Sequence, residues 1–152
     1  MARLLVVHHT PSPALQELLQ AALEGARDEA LAGLEVRTRP ALVAGPVDVL
    51  AADGVLLGTP ANIGYMSGAL KHFFDTVFYP CLQDTAGLPY GVWVHGNDDT
   101  AGATRAVGQV AGALRWRVVG PPVEVVGRPG RADVEAVGEL AASVGAAALG
   151  MI

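Results

Sequence analysis

The sequence predicts an α/β fold, a doubly wound sandwich of three layers in which helices cover both faces of a five-stranded parallel sheet of order 2-1-3-4-5. Two observations predict it. Short apolar runs alternate with longer segments in which apolar residues recur at helical spacing. The central runs also lack a polar face, which is typical of parallel strands buried on both sides. Because 152 residues is the size of one domain, we expect a single domain over residues 1–152.

The strand candidates are short runs of mostly aliphatic and aromatic residues. They lie at residues 4–7, 34–38, 54–58, 90–95 and 118–126. The last run is interrupted by Gly120-Pro121-Pro122, and proline cannot donate to a strand ladder. We therefore expect a broken strand at that edge of the sheet.

The helix candidates follow the strands one by one, so that strands and helices alternate throughout. They lie at residues 15–23, 47–52, 70–78, 103–114 and 134–144. All except the short second candidate carry a stripe of apolar residues at the spacing of a helix with one buried face. Right-handed crossovers then place the strands parallel in one sheet.

The composition excludes several classes of protein. Apolar residues make up 51% of the chain and charged residues 16%, which excludes an intrinsically disordered chain. The net charge of −5 argues against a nucleic-acid partner. The one cysteine, Cys81, excludes an intrachain disulfide and a zinc site with several cysteines. Because the apolar segments are too short for a signal peptide or a membrane span, we expect a cytoplasmic protein.

Three side chains outside the loops carry separate expectations. Trp93 lies in the middle of a strand candidate and is expected in the core. Trp116, between Arg115 and Arg117, is expected at a surface or a subunit contact. Cys81 is interpreted either as a small buried apolar residue or as a surface thiol.

The predicted strand order fixes where a ligand should bind. In open α/β sheets, ligands bind beyond the carboxyl ends of the strands, at the point where the strand order reverses. Here that point lies between the first and third strands. The loops that meet there are residues 8–13, 59–66 and 95–102, and all three are rich in small polar residues, proline or glycine.

The first loop offers donors for a phosphate. Thr10 and Ser12 carry hydroxyls, and the helix that follows begins with free amides and a partial positive charge. The alternative is plain capping, with Ser12 as the N-cap and Pro13 at the first helical position. Pro11 and Pro13 also remove two amide donors from the loop.

The second loop is long for a connection between a strand and a helix. Ser67 is expected to cap the next helix. Ile63, Tyr65 and Met66 would be exposed apolar groups unless they cover something flat. The alternative is a well-packed loop with no ligand. In the third loop, Asp98 and Asp99 have no third ligand nearby, so we expect no metal site and interpret them as solvated residues at the start of a helix.

These loops resemble the flavodoxin-like family, in particular its NAD(P)H-dependent FMN and quinone reductases. The matching residues are Gly58-Thr59-Pro60, Gly64, Met66-Ser67-Gly68, Lys71, Phe74 and Asp75. The family often shows this pattern, in which the helix after Gly-x-Met-Ser-Gly carries a lysine and a Phe-Asp pair. The resemblance extends in order and spacing over nearly the whole chain, and it implies a flavodoxin-like fold.

The resemblance also implies the cofactors and the site. It implies an oxidoreductase that passes electrons from NAD(P)H through FMN to a quinone or a similar small-molecule acceptor, without a catalytic side chain. The implied FMN-binding residues are His9, Thr10, Ser12, Pro13, Ala14, Thr59, Pro60, Ala61, Asn62, Ile63, Gly64, His95, Gly96, Asn97 and Gly102. A homo-oligomer is common among such reductases, and Phe78, Tyr79 and Trp116 suit a subunit contact.

Two other functions remain open on the sequence. One is a flavodoxin-type single-electron carrier, although a net charge of −5 is modest for such a protein. The other is a flavodoxin-like binding module that has lost FMN. The family often has glycine, asparagine and threonine in the phosphate loop where this chain has Pro13, Ala14 and Leu15. Phosphate-binding P-loop and dinucleotide-binding Gly-x-Gly-x-x-Gly patterns are both absent.

Overall fold

The computed structural model describes all residues from Met1 to Ile152. The strands are β1 (Ala2–His8), β2 (Leu34–Pro40), β3 (Gly54–Asn62), β4 (Tyr65–Met66), β5 (Pro89–Gly96), β6 (Arg117–Val118) and β7 (Val123–Val126). The helices are α1 (Pro13–Ala26), α2 (Pro46–Leu50), α3 (Gly68–Cys81), α4 (Ala101–Ala113) and α5 (Arg131–Ala148), and a single 3₁₀ turn covers Glu29–Leu31.

The sheet has the predicted strand order. Its path is β2-β1-β3-β5-β6, and β7 pairs with β5 beyond β6. All of these pairings are parallel. β6 and β7 are the two halves of the strand that was expected to break at Gly120-Pro121-Pro122. The predicted order 2-1-3-4-5 is therefore confirmed, with β5 as its fourth strand and β6 with β7 as its fifth.

The two faces of the sheet are covered by separate hydrophobic clusters, because alternate residues of a strand point to opposite faces. Leu5 and Val7 of β1 belong to the cluster under α3 and α4. Leu4 and Val6 belong to the cluster under α1 and α5. This arrangement makes the three layers that the sequence predicted. None of the helices combines the length and the apolar character needed to cross a membrane.

The second loop differs from the prediction because part of it is a β-hairpin. β3 continues to Asn62 and pairs antiparallel with β4, through Ala61 with Met66 and Asn62 with Tyr65. Ile63 and Gly64 form the turn, with φ of 50° and 71°. Positive φ at both central residues is the geometry of a tight hairpin turn, which usually has Asn-Gly or Gly-Gly rather than isoleucine.

Trp93 lies in the core as expected, but the expectation for Trp116 is wrong. Trp116 is buried, and its indole Nε1 donates a hydrogen bond of 2.9 Å to Thr85 Oγ1. Its ring centroid lies 6.1 Å from those of Phe74 and Tyr90. The flanking arginines are exposed while the tryptophan between them points inward. Trp116 is therefore a core residue and contributes no surface to a subunit contact.

Cys81 is the buried residue that one of the two interpretations predicted. Burial raises the pKa of its thiol, and the charge of Asp84 raises it further. The thiol is therefore protonated at neutral pH, and it is a poor nucleophile.

Candidate functional site

A cleft of about 630 Å³ opens at the carboxyl ends of the strands, where the predicted strand order places a ligand. This volume lies within the range of roughly 300–1,000 Å³ that small-molecule sites occupy. Four segments form its walls: the start of α1, the β3–β4 hairpin, the end of β5, and the loop between β7 and α5. The cleft is larger than the cavities of about 360, 320, 220 and 90 Å³ elsewhere on the protein.

The start of α1 forms the first wall and combines capping with free donors. Ser12 is the N-cap, and its Oγ accepts a hydrogen bond of 3.3 Å from the Leu15 amide, with Pro13 at the start of the helix. Because this bond uses Ser12 Oγ as an acceptor, its O–H remains able to donate. The amides of Thr10, Ser12 and Ala14 donate to no group in the protein. These donors alternate with Pro11 and Pro13, which have no N–H.

The β3–β4 hairpin forms the second wall and is held from below by Thr59. Thr59 is fully buried, and its Oγ1 accepts from the Ser67 amide at 3.1 Å and donates to the Pro60 carbonyl at 2.8 Å. Ser67 in turn caps α3, as expected, by accepting from the Leu70 amide. Thr59 is thus a support for the hairpin, while Pro60, Ala61 and Asn62 line the cleft itself.

The tip of the hairpin is strained and fully exposed. Ile63 has a φ of 50° and a fully exposed side chain. A β-branched residue in the left-handed region is a conformational outlier, and such strain is concentrated at functional sites.

Replacement of Ile63 by glycine is expected to raise the free energy of unfolding by about 0.5–1 kcal/mol. Glycine adopts a positive φ without a clash, and an exposed isoleucine loses no packing when it is removed. Urea denaturation of the wild type and of Ile63→Gly measures the change, with Ile63→Asn as a milder variant because asparagine tolerates the left-handed region. A clear loss of stability in both variants would show that the tip is not strained.

The end of β5 forms the third wall and adjoins a second cavity. Gly96 and Asn97 line the main cleft. A neighbouring cavity of about 360 Å³ lies between the hairpin tip and Asp98 and Asp99. Both cavities are lined by Ala61 and Asn97, so they meet at these two residues. Asp99 accepts a hydrogen bond of 3.0 Å from the Ala101 amide, which is the helix-start role expected for it.

The fourth wall, Gly127-Arg128-Pro129, was not predicted from the sequence. Gly127 is held twice: its amide donates to the Gly96 carbonyl at 2.8 Å, and its carbonyl accepts from His95 Nε2 at 2.7 Å. Because a carbonyl can only accept, His95 carries its proton on Nε2. The available signal was the position of this segment directly after the last strand, since every carboxyl end of a parallel sheet lies at the same edge.

The structure brings together only part of the predicted site. The residues that line the main cleft are Ser12, Pro13, Ala14, Pro60, Ala61, Asn62, His95, Gly96 and Asn97. The residues that lie outside its lining are His9, Thr10, Thr59, Ile63, Gly64 and Gly102. Ile63 and Gly64 line the neighbouring cavity. The lining residues that the sequence analysis did not name as site residues are Pro11, Leu15, Glu17, Gly127, Arg128 and Pro129.

The charges of the cleft come from two residues. Glu17 and Arg128 are the acidic and basic side chains in its lining. His8, at the end of β1, has its pKa lowered by burial and then by the neighbouring His9. His8 is therefore largely neutral at pH 7 and adds no positive charge beside the first wall.

Comparison with known proteins identifies the family. A family model described as NADPH-dependent FMN reductase matches residues 47–128, which is more than half of the chain. The chain belongs to this family. The matched segment includes the hairpin, the end of β5 and Arg128 but not the start of α1. FMN and NADPH are the cofactors that the description of the family names.

Two relatives of this FMN reductase family member match about half of the chain. A flavodoxin of Aquifex aeolicus is 39% identical over 77 residues, which cover 51% of this chain and 40% of the relative. An NAD(P)H dehydrogenase (quinone) of Acidithiobacillus ferrooxidans is 30% identical over 93 residues, which cover 49% of this chain and 46% of the relative. The matches therefore span less than half the length of each relative.

A solved structure confirms the fold. The flavodoxin, WrbA-like protein from Agrobacterium tumefaciens superposes with a TM-score of 0.78 at 17% sequence identity, with complete coverage of both chains. At this identity the likeness concerns the fold. The flavodoxin-like fold that the sequence resemblance implied is thus confirmed.

Proposed function

We propose that this member of the family binds FMN in the main cleft and passes electrons from NAD(P)H to a small-molecule acceptor such as a quinone. One observation carries the proposal. At the switch point of a flavodoxin-like sheet, a cleft of about 630 Å³ joins free donors at the start of a helix to a wall of small, mostly uncharged residues. Residues 1–152 would act as a single unit in this function.

The residues of the cleft fit the chemistry of FMN. The amides of Ser12 and Ala14 and the Ser12 hydroxyl would hold the phosphate, since unpaired N–H groups at a helix start favour an anion. The flat ring system would lie against Pro60, Ala61 and Asn62, with Gly96 and Asn97 at its polar edge. Small residues and glycine at these positions leave room for a planar group close to the backbone.

The part played by the protein is binding, orientation and shielding. When bound, FMN accepts a hydride from NAD(P)H and releases electrons to an acceptor, which is the chemistry of the cofactor itself. His95 is fixed by its bond to Gly127, so it orients a wall of the cleft and need not transfer a proton. Hairpin residues Ala61 and Ile63 would cover one face of the ring and limit the access of water.

A single-electron carrier is the second candidate, because the relative from Aquifex aeolicus is named flavodoxin. The two candidates differ in what reduces the flavin. A reductase takes a hydride directly from NAD(P)H, while a carrier depends on a protein partner.

The test is an anaerobic titration of the FMN-loaded protein with NADPH and, separately, with NADH. The proposed reductase loses the absorption bands of oxidised flavin at a rate that rises with protein concentration, and a soluble quinone restores them. Free FMN at the same concentration is the control. Bands that persist with both nucleotides but disappear with a chemical reductant would contradict the reductase and favour the carrier.

A further inference from the structure

Arg128 differs from Arg131 and Lys71 in that it has no partner in the protein. It is the one basic side chain that lines the main cleft, and it forms no ion pair and no hydrogen bond. Arg131, only three residues later, pairs with Glu135 at 3.6 Å on the exposed surface of α5. Lys71 pairs with Asp75 at 2.6 Å on α3. Arg128 is thus a charge beside a cavity with no partner in the protein.

The backbone that carries Arg128 is held in place on both sides. Gly127 has a φ of 74° and is fixed to the end of β5 by two hydrogen bonds: its amide donates to the Gly96 carbonyl, and its carbonyl accepts from His95 Nε2. Pro129 follows directly, and its ring fixes its own φ. Beyond it, the Gly130 amide donates to the Asp133 carboxylate at 2.8 Å at the start of α5. An arginine on such a segment loses less conformational entropy when it binds an anion than one on a mobile loop.

The opposite wall is short of donors for a dianion. Pro11 and Pro13 supply no N–H, and Leu15 uses its amide on the Ser12 cap. At this wall, the amides of Ser12 and Ala14 are the free backbone donors that line the cleft. Glu17, which lies in the same lining, adds a negative charge that repels a phosphate. A phosphate at this wall would lack a full set of partners without a further donor.

We infer that Arg128 is the phosphate-recognition residue of this chain and makes the cleft select phosphorylated flavin over the same flavin without its phosphate. The inference rests on the proposed function. Arg128 shares the cleft with Ser12 and Ala14, and its planar guanidinium can donate two parallel hydrogen bonds to phosphate oxygens. It therefore replaces the amides that the two prolines remove.

The test compares the affinities of the complete protein for FMN and for riboflavin, measured by quenching of flavin fluorescence. The wild type is expected to bind FMN at least about tenfold more tightly than riboflavin, since hydrogen bonds to a charged phosphate contribute more than hydrogen bonds between neutral groups. Arg128→Gln is expected to lose most of this preference while keeping its affinity for riboflavin. Added salt should weaken FMN binding to the wild type more than to Arg128→Gln.

Two further variants control for charge alone. Arg131→Gln removes the same charge three residues away, outside the cleft, and is expected to bind both flavins like the wild type. Glu17→Gln removes the negative charge of the lining and is expected to strengthen FMN binding without a change for riboflavin. Because Glu17→Gln should strengthen FMN binding and Arg128→Gln should weaken it, the two variants together distinguish an effect on the phosphate from a general disturbance of the cleft.

The possible failures are distinguishable. If the wild type binds neither flavin, the proposed function itself fails. If it binds both flavins equally, or if Arg128→Gln keeps the preference for FMN, the function stands and the inference is overturned. An equal loss of affinity for FMN and for riboflavin in Arg128→Gln also overturns the inference. If the variant changes only the rate ratio between NADPH and NADH, Arg128 recognises the nucleotide and the inference is wrong.

Discussion

Gly25→Ala is expected to lower the free energy of unfolding by roughly 1–3 kcal/mol or more, because it forces two helix backbones apart. A Cβ on Gly25 would lie 2.1 Å from the carbonyl oxygen of Gly138 and 2.8 Å from its Cα. Gly25 belongs to α1 and Gly138 to α5, so the clash is between backbones and no side-chain rotamer relieves it. Urea denaturation monitored by circular dichroism measures the decrease in the free energy of unfolding.

The matched control is Gly138→Ala, which places the new methyl group on the other helix of the same contact. Its Cβ would meet only the Ala21 carbonyl oxygen, at 3.6 Å, which is an ordinary van der Waals distance. Because alanine is a better helix former than glycine by about 1 kcal/mol, this variant should be neutral or stabilised. Equal losses of stability in both variants would contradict the packing described for α1 and α5.

Gly25→Ala is also expected to change the shape of the cleft. The start of α1 carries the amides that are proposed to hold the phosphate, and α5 begins at Arg131, shortly after Arg128. A change in how the two helices cross shifts these walls relative to each other. Gly25→Ala is therefore expected to weaken FMN binding, and Gly138→Ala is expected to leave it unchanged.

Gly102→Ala is expected to weaken FMN binding by about tenfold or more and to destabilise the protein by roughly 1–3 kcal/mol. A Cβ on Gly102 would lie 2.0 Å from the carbonyl oxygen of Gly64 and 2.7 Å from its carbonyl carbon. Gly64 is in the turn of the β3–β4 hairpin, and Gly102 is in the first turn of α4. The substitution must push the hairpin away from the helix, which separates the second wall of the site from the third.

Gly108→Ala on the same helix is the control for Gly102→Ala. Apart from its chain neighbours and the backbone of its own helix, no atom lies within 4 Å of a Cβ at Gly108, so the added methyl group has room. This variant should keep the flavin affinity of the wild type and gain up to about 1 kcal/mol of stability from helix propensity. Flavin titration and urea denaturation of both variants test the pair. Unchanged flavin affinity in Gly102→Ala would show that the hairpin position does not matter to the site.

The strand order could be predicted because the strands are nearly solid apolar runs with little ambiguity. The apolar runs Leu4–Val7 and Gly54–Gly58 predict buried strands, and both are strands in the structure. The segment Gly120-Pro121-Pro122 predicts a break in the last strand, and the structure has the break there, between β6 and β7. The location of the cleft followed from that order alone, through the general rule for open sheets. The strand order and the position of the cleft could both be predicted because they depend on apolar runs, and the packing of the sheet buries these same runs.

The details of the walls were harder to predict, and the reasons are physical. The hairpin was missed because its turn has Ile63 at a positive φ, where the usual sequence signal is asparagine or glycine. Gly102 was predicted from a family resemblance as a flavin contact, while the structure shows its missing Cβ making room for Gly64. Close approach between two backbones leaves no trace in hydrophobic periodicity. Arg128 was not predicted because it follows the fifth strand position, which does not flank the point where the strand order reverses.

The measurement that tests the central claim most directly is the visible absorption spectrum of the protein after it has been mixed with FMN and separated from free FMN by gel filtration. The account predicts that flavin absorption elutes with the protein at about one FMN for each chain. The amount of FMN bound per chain should be smaller in Gly102→Ala and unchanged in Gly108→Ala. A colourless protein fraction at FMN concentrations well above those at which related flavoproteins are loaded would contradict it. In that case the two prolines of the first loop have removed the phosphate site, and the cleft binds a different ligand.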